Sequence, residues 1–165
     1  MLPFLGYEPL HQSINLSLPY DDPENVGAMR RQIPEFLVAG VQRTTSINKF
    51  GAAHFAGVGG EEQTADGRIV HFGVFDRNST VFDQDISDGL SNTFIARELP
   101  GSYPAWGEPE NWRHITKGLN RDQRGFGSAS GGPVLFLMAD GSVKTLSPDT
   151  DLRTLRSMST RDGGD

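Results

Sequence analysis

Glycine and proline interrupt this chain so often that long helices are excluded: 20 Gly and 10 Pro are scattered between short apolar runs. In a helix interior a Gly costs about 1 kcal/mol and a Pro about 3 kcal/mol relative to Ala, whereas turns between short strands use both residues. Helices are therefore expected only near the two ends. In "YEPLHQSI", Pro9 sits in a first helical turn, with Leu10 and Ile14 on one face, which predicts a short helix from Glu8 to Asn15. Further on, Asp22 can cap, Pro23 takes the first helical position, Val26, Met29 and Ile33 form a stripe, and Pro34 stops it. At the other end Ser147 or Asp149 can cap a helix carrying Leu152, Leu155 and Met158, before Gly163 and Gly164.

Between these ends the apolar period changes to two, the signature of strands. "RIVHFGVF" places Ile69, His71, Gly73 and Phe75 on one face and Val70, Phe72 and Val74 on the other. "STVF" and "NTFIARE" read as further strands, the latter setting Phe94 and Ala96 against Thr93, Ile95 and Arg97 across the pleat. The clearest local signal is "MADGSVKTL". Asp-Gly between two apolar runs tolerates the positive φ of a tight hairpin turn, so Val134–Ala139 and Ser142–Leu146 are expected to pair. The fold class that follows is α+β, mainly an antiparallel sheet with short helices near both termini. Its length of 165 residues suits a single domain. The segment 101–132 stands out as a long irregular loop that holds both tryptophans, and loops of that length are commonly functional.

Several function classes can be set aside. Fifteen basic against 21 acidic residues leave a net charge of -6, the wrong sign for a protein that gains affinity by neutralising phosphates, so no nucleic-acid partner is expected. Without cysteine there is no disulfide, thiolate nucleophile or zinc-finger spacing. No run approaches about 18 consecutive apolar residues and the N-terminus lacks a charged-then-apolar leader, so no membrane contact is expected of the chain as given. "GFGSASGG" offers Gly125 and Gly127, but Ser130 stands where a dinucleotide fingerprint needs its third glycine, and a strand follows. In "GSASG" the central position is Ala129, so there is no nucleophile elbow. His11, His54, His71 and His114 share no short spacing that would place a zinc site or a catalytic triad. His71, on a strand face, reads as satisfied or half-exposed.

The acidic cluster "DQDISDG" sets Asp83, Asp85 and Asp88 ahead of a glycine. The register departs from an EF-hand, whose third acidic ligand and glycine come one place earlier, yet hard cations need only clustered oxygens. Calcium is thus the one cofactor for which the sequence offers candidate ligands. The bland reading is a solvated turn between strands.

Several phrases resemble a bacterial prepilin-type family of unknown function, expanded in planctomycetes, whose C-terminal signature is His, nine residues, then Asp-Gly. "LPFLGYEPLHQSINLSLPYDDPEN" is similar to its opening, "DISDGLSNTFIARE" to its Thr-Asp-Gly-Thr-Ser-Asn-Thr segment, "GFGSASGGPVLFLMADGSVKTLS" to its signature and "LRTLRSMSTRDGGD" to its end. The blocks Asp88-Gly89-x-Ser91-Asn92-Thr93 and Asp140-Gly141 carry the resemblance most specifically. Two departures accompany it: Ser130 occupies the place of the signature histidine, and "FLVAG" at 36–40 replaces a Cys-Pro-Ser turn.

The resemblance implies a pseudopilin-like globular head, exported by a type II secretion-like system, with other pseudopilin-like or envelope proteins as partners. Family members begin with a prepilin-type hydrophobic helix, and this chain starts just after its place. The expected location is the periplasm or cell surface when full-length, and the cytoplasm if the anchor is naturally absent. The leading expectation is a non-enzymatic head working by protein contact, with Tyr103, Trp106 and Trp112 as interface anchors, or else buried against the sheet. The alternative is a small-molecule or glycan-binding module using those aromatics with Asp88, Asn92 and Glu98, with calcium assisting. No nucleophile–base pair is assembled in the sequence, so an enzyme resting on Asp83, Asp88, Asp140 or His71 ranks last.

Overall fold

A computed structural model describes residues 1–75, 80–115 and 118–164. The chain forms two compact units, one comprising 1–54 with 102–111, the other 55–101 with 112–165. The helices are α1 (Glu8–Gln12), α2 (Val26–Met29) and α3 (Leu152–Ser157), and the strands are β1 (Phe55–Val58), β2 (Glu61–Gln63), β3 (Ile69–His71), β4 (Phe94–Glu98), β5 (Trp112–Arg113), β6 (Val134–Met138) and β7 (Val143–Leu146). This is the expected α+β class with a mainly antiparallel sheet.

The first unit is held by turns and short helices. Met29, Phe50 and Ala105 form its apolar cluster, with Ile14, Tyr20, Val26 and Trp106 packed around them. The helix expected from Asp22 to Ile33 is confined to Val26–Met29. Asp22 spends its carboxylate on the N–H of Glu24 two residues on, a local Asx turn that competes with helix. At the other end Ile33 is extended, with φ −111 and ψ 104, because the ring of Pro34 disfavours helical backbone before it. Two buried polar side chains tie the unit together. Asn25 accepts from the Asn15 N–H and donates to the carbonyls of Asn15 and Pro19. His54 accepts from the Val38 N–H at Nδ1, which leaves Nε2 to donate to the Arg43 carbonyl.

The second unit carries a five-stranded sheet in the order β5-β1-β4-β6-β7 and a separate two-stranded ribbon, β2-β3. Every pairing in the larger sheet is antiparallel except β1 with β5. The hairpin forms as expected: Leu137 faces Val143, and Gly141 takes φ 82, left-handed backbone that glycine adopts without penalty. Along β6 burial alternates strictly, with Val134, Phe136 and Met138 inside.

Three local expectations are corrected. "RIVHFGVF" forms a strand only over Ile69–His71, after which Phe72 and Phe75 make isolated bridges to Thr160 and Gly59. There Gly59 is required, since a Cβ would run into the Phe75 carbonyl. In "STVF", Thr80 to Phe82 are not strand, and Ser79 lies outside the described residues. Helix α3 is capped by Asp151, whose carboxylate accepts from the N–H and hydroxyl of Thr154; Ser147 instead closes the turn before it, accepting from the Asp149 N–H.

Candidate functional site

The feature that stands apart chemically in the second unit begins with a fault in β4. Pairing with β6 runs Phe94 to Met138, then Ala96 to Leu137 and Arg97 to Phe136, with the register shifting between Phe94 and Ala96. An extra residue in one strand turns every later side chain to the opposite face. Strict alternation places Arg97 opposite Phe94; the bulge brings both to the buried face, beside Phe136. Arg97 is consequently 2% exposed. Its guanidinium lies 3.2 Å from the centre of the Phe126 ring and 4.7 Å from that of Phe136. Aromatic faces attract a cation, but they accept none of its in-plane N–H bonds in full, and among the described residues Nε and both Nη atoms lack a hydrogen-bond partner. Burial, and secondarily the nearby Arg113 charge, push its pKa well below the usual guanidinium range.

Arg97 lines a cavity of about 70 Å³ together with His114, Ile115, Gly118, Asp122, Arg124, Gly125 and Phe126. Arg113 stands on the same side, donating to the carbonyl of Gly125 at 2.8 Å. His114 is half-buried, its ring centre 4.0 Å from that of Phe72, and Nδ1 has no partner among the described residues. Burial lowers its pKa, with Glu62 pulling it up and Arg156 pushing it down to smaller extents. Asp122, the one acid among the described lining residues, accepts from the Arg124 N–H. Among the described residues the lining thus carries two arginines against one acid, in a cavity partly open to solvent.

The residues singled out from the sequence are distributed otherwise. Tyr103 does not present itself as a surface anchor: it is 6% exposed, stacked on His54 with ring centres 4.1 Å apart. Trp106, half-buried in the same unit, donates to the Arg31 carbonyl at 2.7 Å. Trp112 is half-buried on β5 of the other unit. Asp83 and Asp85 sit on an exposed 3-10 turn, where Asp85 accepts from the Phe82 N–H. Asp88 is turned to the chain's end. Its carboxylate accepts from the N–H groups of Gly163 and Gly164 and from the hydroxyl of Thr160, at 2.7–3.0 Å. Among the described residues no group of three or more His, Asp or Glu side chains is arranged to hold a metal ion.

Of the remaining signature positions, Asn92 and Thr93 serve the same junction. Asn92 donates to the Asp88 carbonyl, and buried Thr93 donates to the carbonyls of Gly89 and Thr160. Ser91 offers its carbonyl to Lys144. His71, half-exposed, meets Asp162 at 2.6 Å, so the tail is bound twice. Glu98 is 6% exposed and accepts from the Ala129 N–H and the Ser128 hydroxyl. Ser130, exposed, reaches the same Ser128 hydroxyl at 2.9 Å, so the place of the signature histidine lies one hydroxyl away from Glu98. At the hairpin turn Asp140 accepts from Ser142, whose hydroxyl and N–H hold its carboxyl below the usual carboxylate range.

A second surface feature lies on the outward side of the sheet. Leu135, Leu137 and Val143 are 48%, 37% and 62% exposed, and the pairing of Leu137 with Val143 puts them on one face. Neither this face nor Arg97 was singled out from the sequence. An arginine interrupting an apolar run was the visible hint, but nothing in the residue pattern marks the bulge that turns it inward.

A sequence model of the family described as protein of unknown function (DUF1559), short name SBP_bac_10, matches residues 1–112. No curated protein and no solved structure matches the chain. No helix among the described residues is long and apolar enough to cross a membrane.

Proposed function

This chain belongs to the DUF1559 family of proteins of unknown function, and from that premise we propose that it is a non-enzymatic, pseudopilin-like head of the prepilin type, displayed in the cell envelope and acting by protein contact. The observation that carries the contact reading is the outward face of the hairpin. Three large apolar side chains there stand exposed on rigid, paired backbone, the kind of patch that marks an interface. The expected anchors support it less well. Tyr103 is consumed inside its unit and Trp106 is tied to backbone. The polar residues Asp88, Asn92 and Glu98, which a glycan site would need, are engaged within the chain itself.

The test expresses the protein from its native gene with a photoreactive residue at Leu137, or at exposed Asp149 as control. Fractionation should place it in the envelope, and irradiation should give one discrete adduct from position 137 and none from 149. A cytosolic protein with no adduct at 137 would sink the reading.

A further inference from the structure

We propose that the Arg97 cavity is a binding site for a carboxylate, held edge-on by the guanidinium; this is independent of the contact reading above. A buried charge without a partner is among the costliest groups a fold can carry, and Arg97 is held so with three nitrogens unpaired among the described residues. The ring of Phe126 covers one face of the guanidinium, which leaves its in-plane N–H groups as the means of binding. That planar fork matches the two oxygens of a carboxylate. About 70 Å³ admits a few waters, at roughly 10–15 Å³ each, or one carboxylate with a carbon or two. The surroundings favour an anion as well. Arg113 and Arg124 add positive charge, against one acid, Asp122, among the described lining residues. The carboxylate could come from a free small acid or from a chain terminus of another protein, and the size of the cavity admits only the end of the latter.

Thermal unfolding at fixed ionic strength separates these outcomes, with formate, acetate and N-acetylglycine added against chloride, sulfate and phosphate. The carboxylates should raise Tm of the wild type saturably by roughly 2–4 °C, while the inorganic ions do not. Acetate acting at lower concentration than N-acetylglycine identifies a free acid, and the reverse order a chain terminus. Arg97→Met should be at least as stable as the ligand-free wild type, because an apolar chain replaces an unpaired buried charge, and should lose the response. Should that variant fail to fold, Arg97→Lys decides, since an ammonium keeps the charge but not the fork; its Kd for acetate should rise about tenfold or more. No carboxylate response in the wild type, an equal response to sulfate or phosphate, or an unchanged response in either variant overturns the proposal.

Discussion

Asp88 and Arg97 are carried by neighbouring stretches of one chain, and the fold treats their charges in opposite ways. The carboxylate of Asp88 collects two backbone N–H groups and a hydroxyl from the C-terminal tail, and the residues around it are bonded to one another. Arg97 is more deeply buried, yet among the described residues its guanidinium meets aromatic rings and no hydrogen-bond partner. A charge whose hydrogen bonds are all made within the chain contributes architecture; one buried with its bonds unmade marks a place where the chain is chemically incomplete. The family-like motif at Asp88 therefore belongs to the structure, and the residue no motif singled out belongs to the candidate site.

The contrast can be broken most forcefully at Phe126. Replacing this 1% exposed ring by alanine removes the face under Arg97 and leaves a void, so Phe126→Ala should cost about 3–5 kcal/mol in denaturant unfolding. A loss below about 1 kcal/mol would mean that the ring does not support the guanidinium. Asp88→Ala should cost less, about 1–3 kcal/mol, because the tail is also held by His71 and Asp162 and the site is partly solvated. Its specific mark is faster hydrogen exchange confined to the amides of Gly163 and Gly164; unchanged exchange there would refute the latch.

A smaller effect appears on acidification. Burial depresses the pKa of His114 below its ordinary value of 6.5, so the unfolded chain holds the proton more tightly than the folded one. The stability contributed by neutral His114 is complete above pH 6.5 and is lost as pH falls through the depressed value. Melting curves between pH 7.5 and 5 should therefore show a steeper acid loss for the wild type than for His114→Gln, and parallel curves would remove His114 from the account. The smallest effect is expected at the signature position. Ser130 is exposed and touches Glu98 only through Ser128, so Ser130→His should change stability by less than about 0.5 kcal/mol. A larger loss would make that serine part of the Glu98 cluster.

The hairpin shows what was legible in the residues. Asp140-Gly141 sets the turn and the alternation of β6 sets its face, both local matters of φ and pleat, and both appear as read. The α+β class was equally legible, since Gly and Pro spacing limits every element's length. Helix α2 is shorter than its residue pattern predicts because the stripe and the proline-marked start are weak beside an Asx turn at Asp22 and the restriction imposed by Pro34.

By itself the sequence determined the short-element, sheet-centred architecture and the turn chemistry, because those depend on interactions a few residues long. Only the tertiary structure decided which charges are satisfied. The partners of Asp88 come from the end of the chain, and the burial of Arg97 follows from a one-residue register shift against β6. Pairing between distant strands sets which way a side chain faces, and no local pattern records it.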